Sequence, residues 1–205
     1  MNGGCLFLIS APSGAGKTSL VDAVLKAYPG LNVSISHTTR PIRPGEVDGQ
    51  NYHFVSEKQF RQMVANNEFL EHATVFGNLY GTGRAQVQAT LQQGLDVILE
   101  IDWQGAALVR QQMPDCVSIF ILPPDEATLA ARLKTRAQDS AETIAKRLAE
   151  AKLDMSKAAD ADYIIVNDDF ERAKTQLLAV IASARLRQSH QLRHNVTVQT
   201  LINNN

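Results

Sequence analysis

The segment "LISAPSGAGKTSL", residues 8–20, restricts the fold more than any other part of this 205-residue chain. An apolar run, "CLFLIS" (5–10), stops at a Pro- and Gly-punctuated turn, and a helix is predicted from about Thr18 to Ala27. Strand, turn and helix in that order make "APSGAGKT" (11–18) a phosphate-binding loop. Gly14 and Gly16 let the main chain turn so that successive N–H groups converge, and the helix N-terminus adds partial positive charge. Lys17 is placed to reach the β- and γ-phosphates of a nucleotide, and the Thr18 hydroxyl to ligate Mg²⁺. A Gly-rich turn can merely join a strand to a helix. Here glycine, lysine and hydroxyl stand in register behind an apolar strand, so Ala11, Pro12, Ser13, Gly14, Ala15, Gly16, Lys17 and Thr18 are the expected nucleoside triphosphate site. Ala11 replaces the usual first glycine.

A parallel sheet is the natural frame for such a loop, and the remaining pattern agrees. "LDVILEI" (95–101) and "VSIFIL" (117–122) are continuously apolar, as strands covered on both faces should be. Helices are predicted near 85–93, from Trp103, at 125–135 and 140–157, then a strand at 163–167 and a helix at 170–188. Strands alternating with helices imply an α/β fold with a mostly parallel sheet. Residues 34–83 break that rhythm. Short strands at 32–37, 51–55, 69–76 and 79–83, and a helix opened by a Ser56/Gln59 capping box, suggest a small mixed-β insertion. The stretch beyond Gln188 is polar and expected to be weakly ordered.

Within the insertion, "SHTTRPIRPGEVDGQNYHF" (36–54) sets Arg40 and Arg43 three apart, each followed by proline, with Tyr52 further on. A stiff loop that holds two guanidinium groups implies an anion, unless both arginines are simply solvated loop charges. The net charge of −1 supplies no broad basic face, so that anion must meet a local cluster, and nonspecific nucleic-acid binding is not expected. No targeting or membrane-spanning segment is evident. Cys5 and Cys116 lie in apolar runs without metal-ligand spacing and read as buried, reduced thiols of a cytoplasmic protein.

From about Gly4 to about Arg185 the chain resembles guanylate kinases, which convert ATP and GMP to ADP and GDP. Six blocks carry the resemblance in order: "SAPSGAGKTSL", "SHTTRPIRPGEVDGQNYHFV", "FLEHATVFGNLYGTGRA", "ILEIDWQGA", "IFILPP" and "IVNDD". It implies a P-loop NTP hydrolase-like core (4–33, 89–123 and 156–188), a GMP-binding insertion (34–88), a helical lid (124–155) and a polar tail (189–205). Arg40, Arg43, Tyr52 and Tyr80 then correspond to the clamp on the GMP phosphate, and Ser36, Glu71, Thr82 and Asp102 to the guanine readers. A carboxylate can accept from both guanine N1–H and the N2 amino group, whereas adenine presents a bare N1 lone pair there. Taken alone, Glu71 in an alternating strand could equally be a solvent-facing charge.

Residues 130–147 carry five basic side chains against Asp139 and Glu142, a local excess of three positive charges. By resemblance Arg132, Arg136 and Arg147 close over the phosphates and, with Lys17, carry catalysis; Lys134 and Lys146 read as helix surface. Charge stabilisation is what phosphoryl transfer needs, and no general base is required because the acceptor oxygen is already anionic. ATP and GMP are the implied small-molecule partners and Mg²⁺ with ATP the implied cofactor. A membrane partner is not expected, and a homo-oligomer is left open. Three departures stand out: Glu100 where many relatives have Asp, Ala137 where Gly is common, and His37 where a small hydroxyl also occurs. The rival expectations are a P-loop kinase of another phosphorylated acceptor, such as a ribose bisphosphate, and a non-catalytic binding module of the same shape.

Overall fold

The computed structural model of the chain describes residues 3–75, 77–136 and 141–203, the side chains of 135, 136, 141–146 and 203 excepted. The first elements are β1 (Leu6–Ser10), α1 (Lys17–Ala27), β2 (Leu31–Val33), β3 (His37–Thr38), β4 (His53–Phe54) and α2 (Glu57–Ala65). Then follow β5 (Phe69–Val75), β6 (Asn78–Gly83), α3 (Arg84–Gln92), β7 (Asp96–Glu100), α4 (Trp103–Gln112) and β8 (Val117–Leu122). The last are α5 (Glu126–Arg136), α6 (Ala141–Ser156), a 3₁₀ turn (Lys157–Asp160), β9 (Tyr163–Val166), α7 (Phe170–Ala184), α8 (Gln188–His194) and α9 (Val196–Asn203).

The fold is α/β. Five parallel strands run in the order β2-β7-β1-β8-β9, and a second, mixed sheet runs β4-β3-β6-β5. Alternate residues of β1 feed two cores. Phe7 and Ile9 pack with Leu20, Val21 and Val24 of α1 and Leu177 and Ile181 of α7. Leu6 and Leu8 pack with Val87 of α3, Val97 and Leu99 of β7 and Val109 of α4. Both faces of the central strands are covered, which is why their sequences are apolar without alternation. A smaller cluster of Leu129, Leu133 and Ala151 joins α5 to α6.

An ion pair fastens the ends of this core. The fully buried Asp96 carboxylate accepts from Arg185 Nε at 2.8 Å and from the Cys5 N–H at 2.7 Å, so β7, β1 and the end of α7 share one anchor. Both thiols are free, and burial pushes each up to about 11.

Three local expectations are revised. The run 32–37 is not one strand: β2 ends in the main sheet, where Ser34 N–H donates to Ile98 O at 2.9 Å, and the chain then crosses to the second sheet at β3. The run 51–55 contributes only His53–Phe54, paired parallel to β3. The polar stretch from Gln188 forms two helices, α8 and α9, up to Asn203. Its order comes from polar contacts that hydrophobic periodicity does not reveal: Gly3 N–H donates to His194 Nδ1 at 3.0 Å, Gln191 Nε2 to Arg185 O at 2.7 Å, and Gln199 Nε2 to the carbonyls of Leu192 and Arg193. Among the described residues no helix is long and apolar enough to cross a membrane.

Candidate active site

The phosphate loop leaves β1 and returns as α1. Gly14 and Gly16 take φ of 88° and 92°, the left-handed region that side chains resist. Gly16 also admits a close neighbour, since a Cβ there would stand 2.4 Å from Asn167 Nδ2. That amide donates to the Ala15 carbonyl at 2.8 Å and so props the loop from behind. Arg132 of α5 adds to the prop, its guanidinium donating to Asn167 O at 3.2 Å and to Ala15 O at 3.5 Å. Gly16 offers no side chain to cap α1, so the first-turn N–H groups are left for an anion.

Lys17 and Thr18 converge on one carboxylate. Lys17 Nζ lies 4.0 Å from Glu100 Oε2, and Thr18 Oγ1 donates to the same oxygen at 3.3 Å. Burial holds the Lys17 ammonium below its ordinary pKa, opposed by Glu100 and then Asp102. Glu100, at the end of β7, thus reaches the loop despite its departure from the shorter Asp.

Arg40 is held on every side. Its Nη2 donates to Glu46 Oε1 at 2.7 Å and its Nη1 to Glu46 Oε2 at 3.0 Å, a bidentate pair. Nη1 also reaches the Pro41 carbonyl at 2.8 Å. The guanidinium carbon lies 5.4 Å from the Tyr52 ring centre and 5.6 Å from that of Phe54. The bonds to Glu46, and more weakly to Tyr80, raise the Arg40 pKa. Tyr52 and Tyr80 meet edge to face at 5.9 Å, and burial raises the Tyr52 phenol. Arg43 differs: its backbone N–H donates to Glu46 Oε2 at 2.8 Å, while the residue itself is exposed. Stiffening of the loop therefore acts on the Arg40 side chain and the Arg43 main chain.

Glu71 faces inward because β5 is irregular. The register shifts between Phe69, opposite Gly83, and Glu71, opposite Thr82. Regular pairing would set Glu71 against Gly81, which has no hydroxyl; the bulge instead lets Thr82 Oγ1 donate to Glu71 Oε1 at 2.6 Å. Glu71 is 7% and Thr82 0% exposed, so the solvent-facing alternative for Glu71 is ruled out. Burial raises the Glu71 pKa, Thr82 opposes, and Asp102 adds to the rise. Asp102 caps α4, its Oδ1 accepting from Gly105 N–H at 2.7 Å. Its charge favours the Lys17 ammonium and disfavours the Glu71 carboxylate, in each case less than burial acts. Ser36 lies half-buried just before β3, its carbonyl bonded to His53 N–H.

A family model described as guanylate kinase matches residues 4–184. The chain belongs to the guanylate kinase family. The chain is similar to the guanylate kinase of Alkalilimnicola ehrlichii, 56% identical over 92% of this chain and 93% of that protein. It is also similar to that of Escherichia coli K12, 52% identical over 97% of this chain and 98% of that protein. The crystal structure of guanylate kinase from Anaplasma phagocytophilum superposes with a TM-score of 0.77 at 30% identity, covering 98% of this chain and 95% of that one.

Within this guanylate kinase fold, Ala11–Thr18 and Glu100 gather at one end of the parallel sheet. Arg40, Tyr52 and Tyr80 form a second group, and Glu71, Thr82 and Asp102 a third. Arg132 sits on the phosphate loop, and Arg147 is half-buried on α6. The Arg136 side chain and Ala137 lie outside the described residues. His37 packs between His53 and Phe69, at 4.7 and 5.5 Å between ring centres, and burial lowers its pKa. This is a structural setting. Sequence reasoning missed Glu46, Asn167 and Gly105. All three stand inside the quoted blocks, and a carboxylate six residues after Arg40 was the one readable signal.

Proposed function

We propose that this chain transfers the γ-phosphoryl group of ATP to GMP, with 11–18 holding ATP, 34–88 holding GMP, and 124–155 closing over both. One observation carries the reading. The buried Glu71 carboxylate, held by Thr82, lies beside Asp102 at Gly105, and Glu100, two residues before Asp102, meets Lys17 and Thr18, which supports a base reader and a triphosphate loop addressing one space.

The division of labour follows from charge. Main-chain N–H groups of the loop and Lys17 hold the β- and γ-phosphates of ATP. Arg40 and Arg43, with the Tyr52 and Tyr80 hydroxyls, hold the GMP phosphate, each charge-assisted bond contributing roughly 1.5–3 kcal/mol. Glu71 accepts from guanine N1–H and N2–H, with Ser36, Thr82 and Asp102 completing the base site. Fixing both phosphates in this way brings a GMP phosphate oxygen into line with the γ-phosphorus, and that positioning is the main catalytic contribution. Arg132, Arg136 and Arg147 spread positive charge over the transferring group, and closure of α5 and α6 excludes water that would otherwise hydrolyse ATP.

The donor set also fits Mg²⁺. Thr18 Oγ1 and the Glu100 carboxylate are hard oxygen donors 3.3 Å apart beside the loop, and they would hold the ion. When bound with ATP, the ion neutralises phosphate charge that develops on the leaving group.

A coupled assay of ADP formation from Mg-ATP, run with GMP, AMP and ribose phosphates in parallel, tests the proposal. GMP should be the preferred acceptor by orders of magnitude. Equal use of AMP or a ribose bisphosphate would favour another P-loop kinase, and no ADP with any acceptor would favour a binding module.

A further inference from the structure

Gly105 lies in the first turn of α4, where that helix meets β5. Its N–H donates to Asp102 Oδ1 at 2.7 Å, and its α-carbon abuts the Glu71 carboxylate. A Cβ built on Gly105 would stand 2.9 Å from Glu71 Oε2, 3.2 Å from Glu71 Cδ and 3.3 Å from Asp102 Oδ1. The backbone here is helical, with no positive φ, so the need for glycine arises from close approach alone. Glu71 cannot simply swing aside, because its other oxygen is fixed by Thr82 Oγ1 at 2.6 Å in a buried site.

We infer that Gly105 is a specificity-determining position: its bare α-carbon lets Glu71 lie against α4 in the orientation that presents both carboxylate oxygens to a purine with adjacent N–H donors. The inference rests on Glu71 as the base reader. A methyl group at 105 pushes Oε2 outward by a few tenths of an ångström and turns the carboxylate about its Thr82 bond. The phosphate clamp, carried by the loop between β3 and β4 and by Tyr80 of β6, is untouched. Purine discrimination should therefore fall while phosphate-dependent binding of ATP persists. GMP and IMP separate the two effects, since IMP keeps N1–H but lacks the N2 amino group.

Gly105→Ala is compared with the parent enzyme and with Glu71→Gln, using steady-state kinetics on GMP, IMP and ATP and equilibrium binding of ATP. The expected result for Gly105→Ala is a rise in KM for GMP and a drop in the GMP-over-IMP ratio of kcat/KM, each of at least about tenfold, the size of one lost charge-assisted bond. KM for ATP should stay within about twofold. If Glu71→Gln leaves both the GMP kinetics and the GMP-over-IMP ratio intact, the base-reader assignment itself is wrong. If Glu71→Gln collapses that ratio while Gly105→Ala preserves it, only the inference about Gly105 fails. A Gly105→Ala protein that loses ATP and GMP binding together marks the glycine as a packing residue and also overturns the inference.

Discussion

Replacing Glu71 with Gln removes one charge and very little else. The glutamine oxygen can still accept from Thr82 Oγ1, now 2.6 Å from Glu71 Oε1, so the buried side chain keeps its anchor. The other position changes from an acceptor to an NH₂ donor aimed at a guanine N–H. One charge-assisted bond is lost, a difference of roughly 1.5–3 kcal/mol, or about 10- to 150-fold in kcat/KM for GMP. The loss should fall on KM for GMP, with KM for ATP unchanged. Stability should move the other way. Burial raises the Glu71 pKa in the folded state, so ionising Glu71 costs more in the folded chain than in the unfolded one. The penalty of holding the carboxylate is absent below the ordinary value of 4.5 and grows as pH rises through the folded pKa. Glu71→Gln should then be at least as stable as the parent at pH 8, and the difference should close on acidification. Coupled kinetics and urea unfolding at two pH values read both quantities. Unchanged GMP kinetics, or an equal loss for ATP, would refute the reasoning.

Other substitutions probe the surrounding supports. Gly16→Ala combines an unfavourable φ of 92° with a methyl 2.4 Å from Asn167 Nδ2, and should weaken ATP binding by about tenfold or more in calorimetric titration while GMP binding persists. Asp96→Ala leaves Arg185 and the Cys5 N–H without their shared partner. Because Arg185 is one-third exposed, the loss should sit near the low end for a broken buried pair, about 3 kcal/mol in urea unfolding; under 1 kcal/mol would show that water replaces the carboxylate. Glu46→Gln loosens the Arg40 fork and should raise KM for GMP severalfold, most clearly at high salt, with KM for ATP constant. A fall in KM would show instead that Glu46 competes with the phosphate.

What could be read in the sequence tracks how local the physics is. The phosphate loop was legible because its glycines, lysine and hydroxyl act within eight consecutive residues. The central strands were legible because cover on both faces leaves continuous apolar runs, as in Phe7–Ile9 against two cores. Glu71 was ambiguous for a definite reason: alternation in "FLEHATV" cannot reveal the bulge that gives β5 three consecutive buried residues and sets Glu71 opposite Thr82. Only the family resemblance supplied its role. Glu46 and Asn167 were missed because each acts through a side chain brought back by the fold, across 6 residues to Arg40 and 152 to Ala15. Asp102 shows the same principle most fully. As the cap of α4 it satisfies Gly105 N–H, a local pattern, yet its charge also acts on Lys17 at the start of α1 and on Glu71 in β5, 54 residues apart in sequence. A helix cap at the end of β7 thus adds a secondary charge effect at both Lys17 and Glu71, behind burial in each case, and that link exists only after α4 has packed against β5.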